Sequence, residues 1–219
     1  RAWNFAVFAP EATALTLCLY QPDTEELLGE LAFCGRTGEI WHLQVTGIPD
    51  GTLYALKADG LYDPERGMMF DADRALLDPY AKKLNRNIGF NERLYAAKSH
   101  YMLAKAVLTE TAFDWQGAKK PATPREKTII YEAHVKALTL RHTDMPPQLR
   151  GTYAGLAHPV MIEHFKRLGV TTIELLPVQA FFDDRFLVAK GLRNHWGYQT
   201  SGFFAPEPRY GSTNPLREL

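Results

Sequence analysis

Residues 158–177, HPVMIEHFKRLGVTTIELLP, decide the fold class. His158 and Pro159 open a helix, because a proline in the first turn gives up an N–H that would have no partner there anyway. Val160, Ile162, Phe165 and Leu168 follow as an apolar face at helical spacing, with Glu163, Lys166 and Arg167 outside it. Gly169 ends the helix, since glycine accepts the left-handed geometry of a C-terminal stop. Val170 to Leu176 is then a nearly continuous apolar run, expected as a buried strand and closed by Pro177. Upstream, Thr128 to Val135 (TIIYEAHV) is another β-rich run. Strand, helix and strand with a tight link make a βαβ unit, so the two strands are expected to be parallel. A parallel pair must be covered on both faces and needs neighbours. One such unit is incomplete as a fold and reads as the opening of a larger α/β barrel or sheet.

Before this unit lies GAKKPATPREK, Gly117 to Lys127, with two prolines, three lysines and no apolar side chain beyond alanine. That composition is a linker, and a domain boundary is expected there. The chain ahead of it reads as strands. Phe5 and Val7, then Leu15, Leu17 and Leu19, then Trp41, Leu43 and Val45, then Tyr54, Leu56 and Ala58 recur at period two, which gives each strand one buried and one wetter face. The clusters PEAT, QPDTEE, GRTGE, IPDG and ADGLYDPERG are turn signals between them. Strands returning about every 10 residues suit a β-sandwich. One more strand or short helix is expected near Ala104 to Phe113.

The 25 basic and 25 acidic side chains cancel, which argues against a dedicated nucleic-acid binder. The 46% apolar share is that of a globular protein and excludes wholesale disorder. Two cysteines, Cys18 and Cys34, are too few for a secreted disulfide scaffold; both sit in apolar runs and are expected as buried free thiols. Without a CxxC pair a thiolate zinc site has no support. The apolar stretch from Ile173 to Phe182 is broken by Glu174, Pro177 and Gln179, so no membrane span is expected. No signal peptide is recognised, and a chain that opens on Arg1 and stops at Leu219 without a cap is expected to be a piece of something longer.

From Val178 to Tyr210 no periodicity is convincing, and a connection of that length is usually functional. It leaves the carboxyl end of a parallel strand, the ligand face of barrels and open α/β sheets. Asn194, His195, Trp196, Gly197 and Tyr198, followed by Phe203, Phe204 and Tyr210, interleave rings with polar groups. Such a set suits a sugar, whose C–H face packs on a ring while its hydroxyls take hydrogen bonds; rings that merely pack the loop down are the plainer reading.

WNFAVFAPEATALTLCLY, GRTGEIWH and YALKADGLYDPERGMMFDADRALLDPYAKKL resemble the N-terminal module of isoamylase-type glycogen debranching enzymes of the α-amylase family, the glycoside hydrolases of bacterial glycogen operons. IIYEAHVKALT, RGTYAGLAHPVMIEHFKRLGVTTIELLPV and NHWGYQTSGFFAPEPRYGS resemble the first strand, first helix, second strand and second loop of their catalytic barrel. The resemblance implies a multidomain chain, β then α/β. An immunoglobulin-like β-sandwich of the glycogen-binding class would span 1–116, a linker 117–127, and the first βαβ unit of an incomplete (β/α)8 barrel 128–219. It implies hydrolysis of α-1,6 branch linkages in glycogen or limit dextrin, in the cytoplasm, with no cofactor and no metal. The partner would be glycogen or a branched α-glucan, with no nucleic acid and no membrane. A non-catalytic glycogen-binding module, or a branching or trehalose-releasing relative, shares the plan.

The family works with retention, through an Asp nucleophile and a Glu acid/base. Both follow barrel strands beyond Leu219, so no catalytic residue is expected in this chain. Asp183 and Asp184 are read as solvated loop charges. Glu132 and Glu174 lie in the two strands, with His134 on the face of Glu132, and are not given the chemistry. His134, His142, His158 and His164 have no metal-ligand pattern. Tyr198 in WGY matches the family tyrosine that stacks on sugar beside the scissile bond, and Trp196 and His195 are expected to shape the same wall. Trp41 is expected as a core or interdomain aromatic.

Overall fold

The computed structural model describes residues 2–90 and 104–219. The chain divides into two units, Arg1–Glu110 and Thr111–Leu219, so the residues expected as a linker fall within the second unit. In the first unit β1 (Ala2–Phe8), β2 (Ala12–Tyr20), β3 (Leu27–Ala32), β4 (Gly35–Thr37), β5 (Ile40–Thr46), β6 (Leu53–Asp63), β7 (Met68–Leu76) and β8 (Ala106–Val107) follow along the chain. They form a three-stranded sheet, β1-β5-β4, and a five-stranded sheet, β3-β2-β6-β7 with β8 beside β6. Every pairing is antiparallel, the arrangement of a β-sandwich. The period-two pattern explains which faces meet. Phe5 and Val7 of β1 are buried, opposite Leu43 and Trp41 of β5. Phe5 then meets Tyr54 of the other sheet edge-on, ring centroids 5.3 Å apart.

Three expectations in this unit change. β6 does not stop at the ADGLYDPERG cluster but runs through it to Asp63, and only Pro64–Arg66 is a turn. Gly60 is a strand glycine: a Cβ there would lie 2.7 Å from the Phe70 ring of β7, so the residue is small to admit a neighbour, not to reverse the chain. Leu53 to Leu56 are all buried, because β6 is an interior strand with both faces covered there. Cys34 is exposed. Phe33 takes the buried position and its N–H donates to Leu15 O at 2.9 Å, so the next side chain points outward. Cys18 is fully buried, and burial pushes its thiol up to about 11.

The second unit runs β9 (Ile130–Ala133), α1 (Val135–Thr139), α2 (Tyr153–Leu156), α3 (Pro159–Leu168), β10 (Thr172–Leu175), β11 (Gln179–Phe181), α4 (Arg185–Val188), β12 (Thr200–Pro206) and α5 (Pro215–Glu218). β9 and β10 are parallel, Ile130 beside Thr172 and Ala133 beside Leu175, with the helices between them in sequence. α3 begins and ends as its sequence dictates. His158 Nδ1 accepts from Val160 N, and Pro159 takes the first position. Gly169 stands at φ 73°, with Gly169 N donating to Lys166 O and Val170 N to Phe165 O, both at 3.0 Å. That pair of bonds is the Schellman stop.

The buried face of α3 differs from the expected one. Met161 and Phe165, one turn apart, enter a core with Met145, while Ile162 and Leu168 are exposed. Tyr131 of β9 meets Phe165 edge-on at 5.6 Å, so strand and helix fix each other. Full burial of a side chain such as Met161 contributes about 1.5–3 kcal/mol. β10 is not buried either: Thr172, Ile173 and Glu174 are exposed. Among the described residues β9 and β10 form a two-stranded sheet, and two strands alone cannot enclose each other's faces. No helix among the described residues is long and apolar enough to cross a membrane.

Candidate functional site

The 178–210 segment, expected to lack regular structure, holds β11 and β12 as an antiparallel pair. The pairing shifts register on both sides of Ala180, and Ala180 and Phe181 are buried in succession, so no period two shows in the sequence. This pair carries Phe181 and Asp183 at one end, and Glu207, Arg209 and Tyr210 just beyond β12. The stretch from Phe182 to Gln199 loops between them.

At the junction lies a buried ionic group. Glu207 is 0% exposed, and its Oε1 accepts from Arg209 Nε at 2.6 Å and from Arg209 N at 3.1 Å. Its Oε2 accepts from Phe181 N at 3.3 Å. Arg209 Nη1 donates to Asp183 Oδ1 at 2.9 Å, and the guanidinium carbon sits 4.2 Å from the Phe181 ring centroid. Asp183 is thus a buried, paired carboxylate rather than a solvated charge. Its sequence neighbour Asp184 is half-buried and accepts from Gln199 Nε2 at 2.6 Å.

An aromatic and imidazole cluster packs beside this group. Val135, Tyr153, Phe181 and Tyr210 form a buried core. Tyr153 donates its hydroxyl to Val178 O at 2.8 Å, and burial pushes that phenol up. Tyr210 is likewise pushed up to about 12 by burial. His134, expected on the strand face, instead caps α1: its Nδ1 accepts from Ala137 N at 3.1 Å. Its Nε2 lies 2.7 Å from His195 O, which can only accept, so Nε2 carries the proton and the ring is neutral. Burial holds the His134 pKa below its usual 6.5, in agreement with those partners. The Tyr210 hydroxyl lies 3.1 Å from the same nitrogen.

His134 and Asp183 together fix the turn that bears the expected site residues. The His195 ring stacks on His134 at 4.5 Å and 14°. Trp196 meets His195 edge-on at 5.3 Å. Asn194 N donates to Asp183 Oδ1 at 2.9 Å, and Asn194 Oδ1 accepts from Gly197 N at 3.0 Å. Gly197 stands at φ 82°, where a Cβ would come within 3.0 Å of Pro177 O, so the turn requires glycine. The outcome is that Trp196 (57%) and Tyr198 (62%) present their rings to solvent. A cavity of about 350 Å³ lies alongside, lined by Asn194, His195, Arg193, Lys136 and Tyr210.

The remaining candidates fall outside this cluster. Glu132 and Glu174 are register partners across the parallel pair, both exposed. Trp41 is half-buried; its Nε1 donates to Ala9 O at 3.1 Å and the Arg36 guanidinium lies 5.0 Å from its ring. Among the described residues no group of three or more His, Cys, Asp or Glu is placed to hold a metal. Sequence reasoning missed Glu207 and Arg209. The one signal for them is a glutamate between two prolines, Pro206 and Pro208, directly after an apolar run.

Residues 1–81 match carbohydrate-binding module 48, the isoamylase N-terminal domain. Across both units, the chain is homologous to glycogen debranching enzymes. It is 43% identical to the glycogen debranching enzyme of Yersinia pseudotuberculosis serotype IB (strain PB1/+) over 99% of its own length, and spans 34% of that protein. The corresponding enzyme of Yersinia enterocolitica serotype O:8 is 40% identical over the same 99%, again covered to 34%. The chain spans about a third of the length of these relatives. In fold it is similar to the catalytic module of the glycogen-degrading pneumococcal virulence factor SpuA, with TM-score 0.74 and 23% identity, covering 99% of this chain and 32% of that one. The pullulanase from Bacillus acidopullulyticus is similar at TM-score 0.71 and 24% identity, covering 99% and 25%.

Proposed function

We propose that the chain is the amino-terminal part of a glycogen debranching glycosidase that hydrolyses α-1,6 branch linkages of cytoplasmic glycogen or limit dextrin. One observation carries this reading: 43% identity to a debranching enzyme extends over both units, not only over the carbohydrate-binding module. In this reading residues 1–116 are an immunoglobulin-like sandwich, 117–127 a linker, and 128–219 the opening of a (β/α)8 barrel. The parallel β9–β10 pair with intervening helices supports the last, because a barrel is built from repeats of that unit.

Tyr198, with Trp196 and His195, then forms a wall against which a glucose ring stacks. Support comes from their place past the carboxyl end of β10, and from two large rings held in water by a pinned turn. A stacked ring fixes the sugar so that attack at its anomeric carbon is in line. The nucleophile and the acid/base belong to the rest of the protein. Asp183 and Glu207 do not substitute for them: Arg209 lies between them, and backbone N–H groups from Asn194, Phe181 and Arg209 engage their oxygens as well. A buried carboxylate saturated by donors neither attacks a sugar nor hands it a proton.

The test is to incubate the intact protein with branched limit dextrin and follow the α-1,6 anomeric proton by NMR. Loss of that signal with release of linear maltooligosaccharides is expected, and no turnover by residues 1–219 alone. A growing α-1,6 signal, or turnover by the 219-residue chain, contradicts the proposal.

A further inference from the structure

We infer that the adjacent carboxylates Asp183 and Asp184 are positioning residues for Tyr198, pinning the two ends of the segment that presents its ring. The inference rests on the proposed glucan-stacking role of Tyr198. Two residues in succession after a strand project to opposite sides. Asp183 turns inward and Asp184 outward, and the structure uses both directions.

On the inner side, Asp183 Oδ1 accepts from Asn194 N at 2.9 Å while Arg209 Nη1 holds the same oxygen, also at 2.9 Å. Asn194 passes the constraint on: its Nδ2 donates to Phe182 O at 3.1 Å and its Oδ1 accepts from Gly197 N at 3.0 Å. On the outer side, Asp184 Oδ1 accepts from Gln199 Nε2 at 2.6 Å, and Phe182 N donates to Gln199 O at 3.0 Å. Residues 194, 197 and 199 are therefore all tied, directly or through Asn194, to residues 182–184. Tyr198 lies between the tied positions and makes no side-chain hydrogen bond among the described residues. The backbone beneath an exposed ring is held while the ring's face stays open. A platform fixed before binding spares the ligand the cost of ordering it, which is the way a supporting group raises affinity without touching the ligand.

The probe is maltoheptaose, titrated into the intact protein and followed by tryptophan fluorescence. Four forms are compared with the parent: Tyr198→Ala, Asp184→Ala, the two combined, and Asp184→Asn. Tyr198→Ala is expected to weaken binding roughly tenfold or more, and Asp184→Ala roughly three- to tenfold, the loss of one hydrogen bond to a charged group. In the Tyr198→Ala background, Asp184→Ala is expected to add nothing, because it acts through the ring. Asp184→Asn keeps an oxygen for Gln199 and is expected to bind as the parent does. Asp183→Ala would leave Arg209 half-paired and unfold the unit, so the inner anchor is read by Asp183→Asn, whose uncharged oxygen must serve both Asn194 N and Arg209 Nη1 and holds each less firmly, with faster hydrogen exchange expected at Gly197 N.

If Tyr198→Ala weakens binding but Asp184→Ala does not, or if Asp184→Ala weakens it equally in both backgrounds, this inference fails and the stacking role stands. Unchanged exchange at Gly197 in Asp183→Asn removes the inner anchor from it. If Tyr198→Ala binds like the parent, or the parent shows no binding up to tens of millimolar sugar, both the stacking role and this inference are overturned.

Discussion

Arg209→Met is the sharpest probe of what holds the second unit together. The substitution keeps length and apolar contact with Phe181 but removes the cation that Asp183 and Glu207 share. Their side chains are 7% and 0% exposed, so water cannot replace it. Breaking a buried ion pair from one side costs about 3–5 kcal/mol, because an uncompensated charge stays behind. A domain's whole stability is about 5–15 kcal/mol, so the loss is large enough to unfold a marginal unit. Arg209→Lys retains the charge, but a point ammonium cannot reach both carboxylates as the planar fork does, and an intermediate loss of about 1–3 kcal/mol is expected. Hydrogen exchange at Phe181 N, which donates to Glu207, reads the opening free energy directly. A deficit below about 1 kcal/mol refutes the view that this triad is a dry ion-paired junction.

Three further outcomes are expected. His134 is held below its usual 6.5 by burial, so the unfolded state takes up the proton first; stability of the second unit should be level above about pH 6.5 and fall as pH drops below it. Urea melts from pH 8 to 5 should show that slope in the parent and a flatter one in His134→Asn, which keeps a helix cap without titrating. Gly155→Ala places a Cβ 2.1 Å from Leu149 O, a backbone atom that cannot swing aside, and should destabilise by about 3 kcal/mol, measured by the same melts. In the folded protein a thiol reagent should label exposed Cys34 within minutes and leave Cys18 unmodified until denaturant is added; equal labelling of both would contradict the described burial.

Residues whose conformation is set by their immediate neighbours could be read directly. His158-Pro159 and Gly169 bound α3 through caps that depend on two or three residues, and the β9–β10 pairing follows from strand length and order. Tyr198 and Trp196 stand out because large rings among polar neighbours are conspicuous in any chain. Burial was less legible. Ile162 and Met161 both suit a helix's apolar face; which one enters the core depends on where Met145 and Tyr131 stand, and that is a property of packing. Gly60 looked like a turn because a glycine carries no sign of the ring above it.

By itself the sequence determined the order of the elements, the two-part composition and the aromatic turn, because those rest on local propensity and period. Only the tertiary structure decided that Asp183, Glu207 and Arg209 are one buried group, and that His134 is a neutral anchor for His195. Asp183 and Arg209 are separated by 26 residues, and His134 and His195 by 61. A charge's meaning depends on the partners and the dielectric that folding places around it, and no window of neighbouring residues contains either.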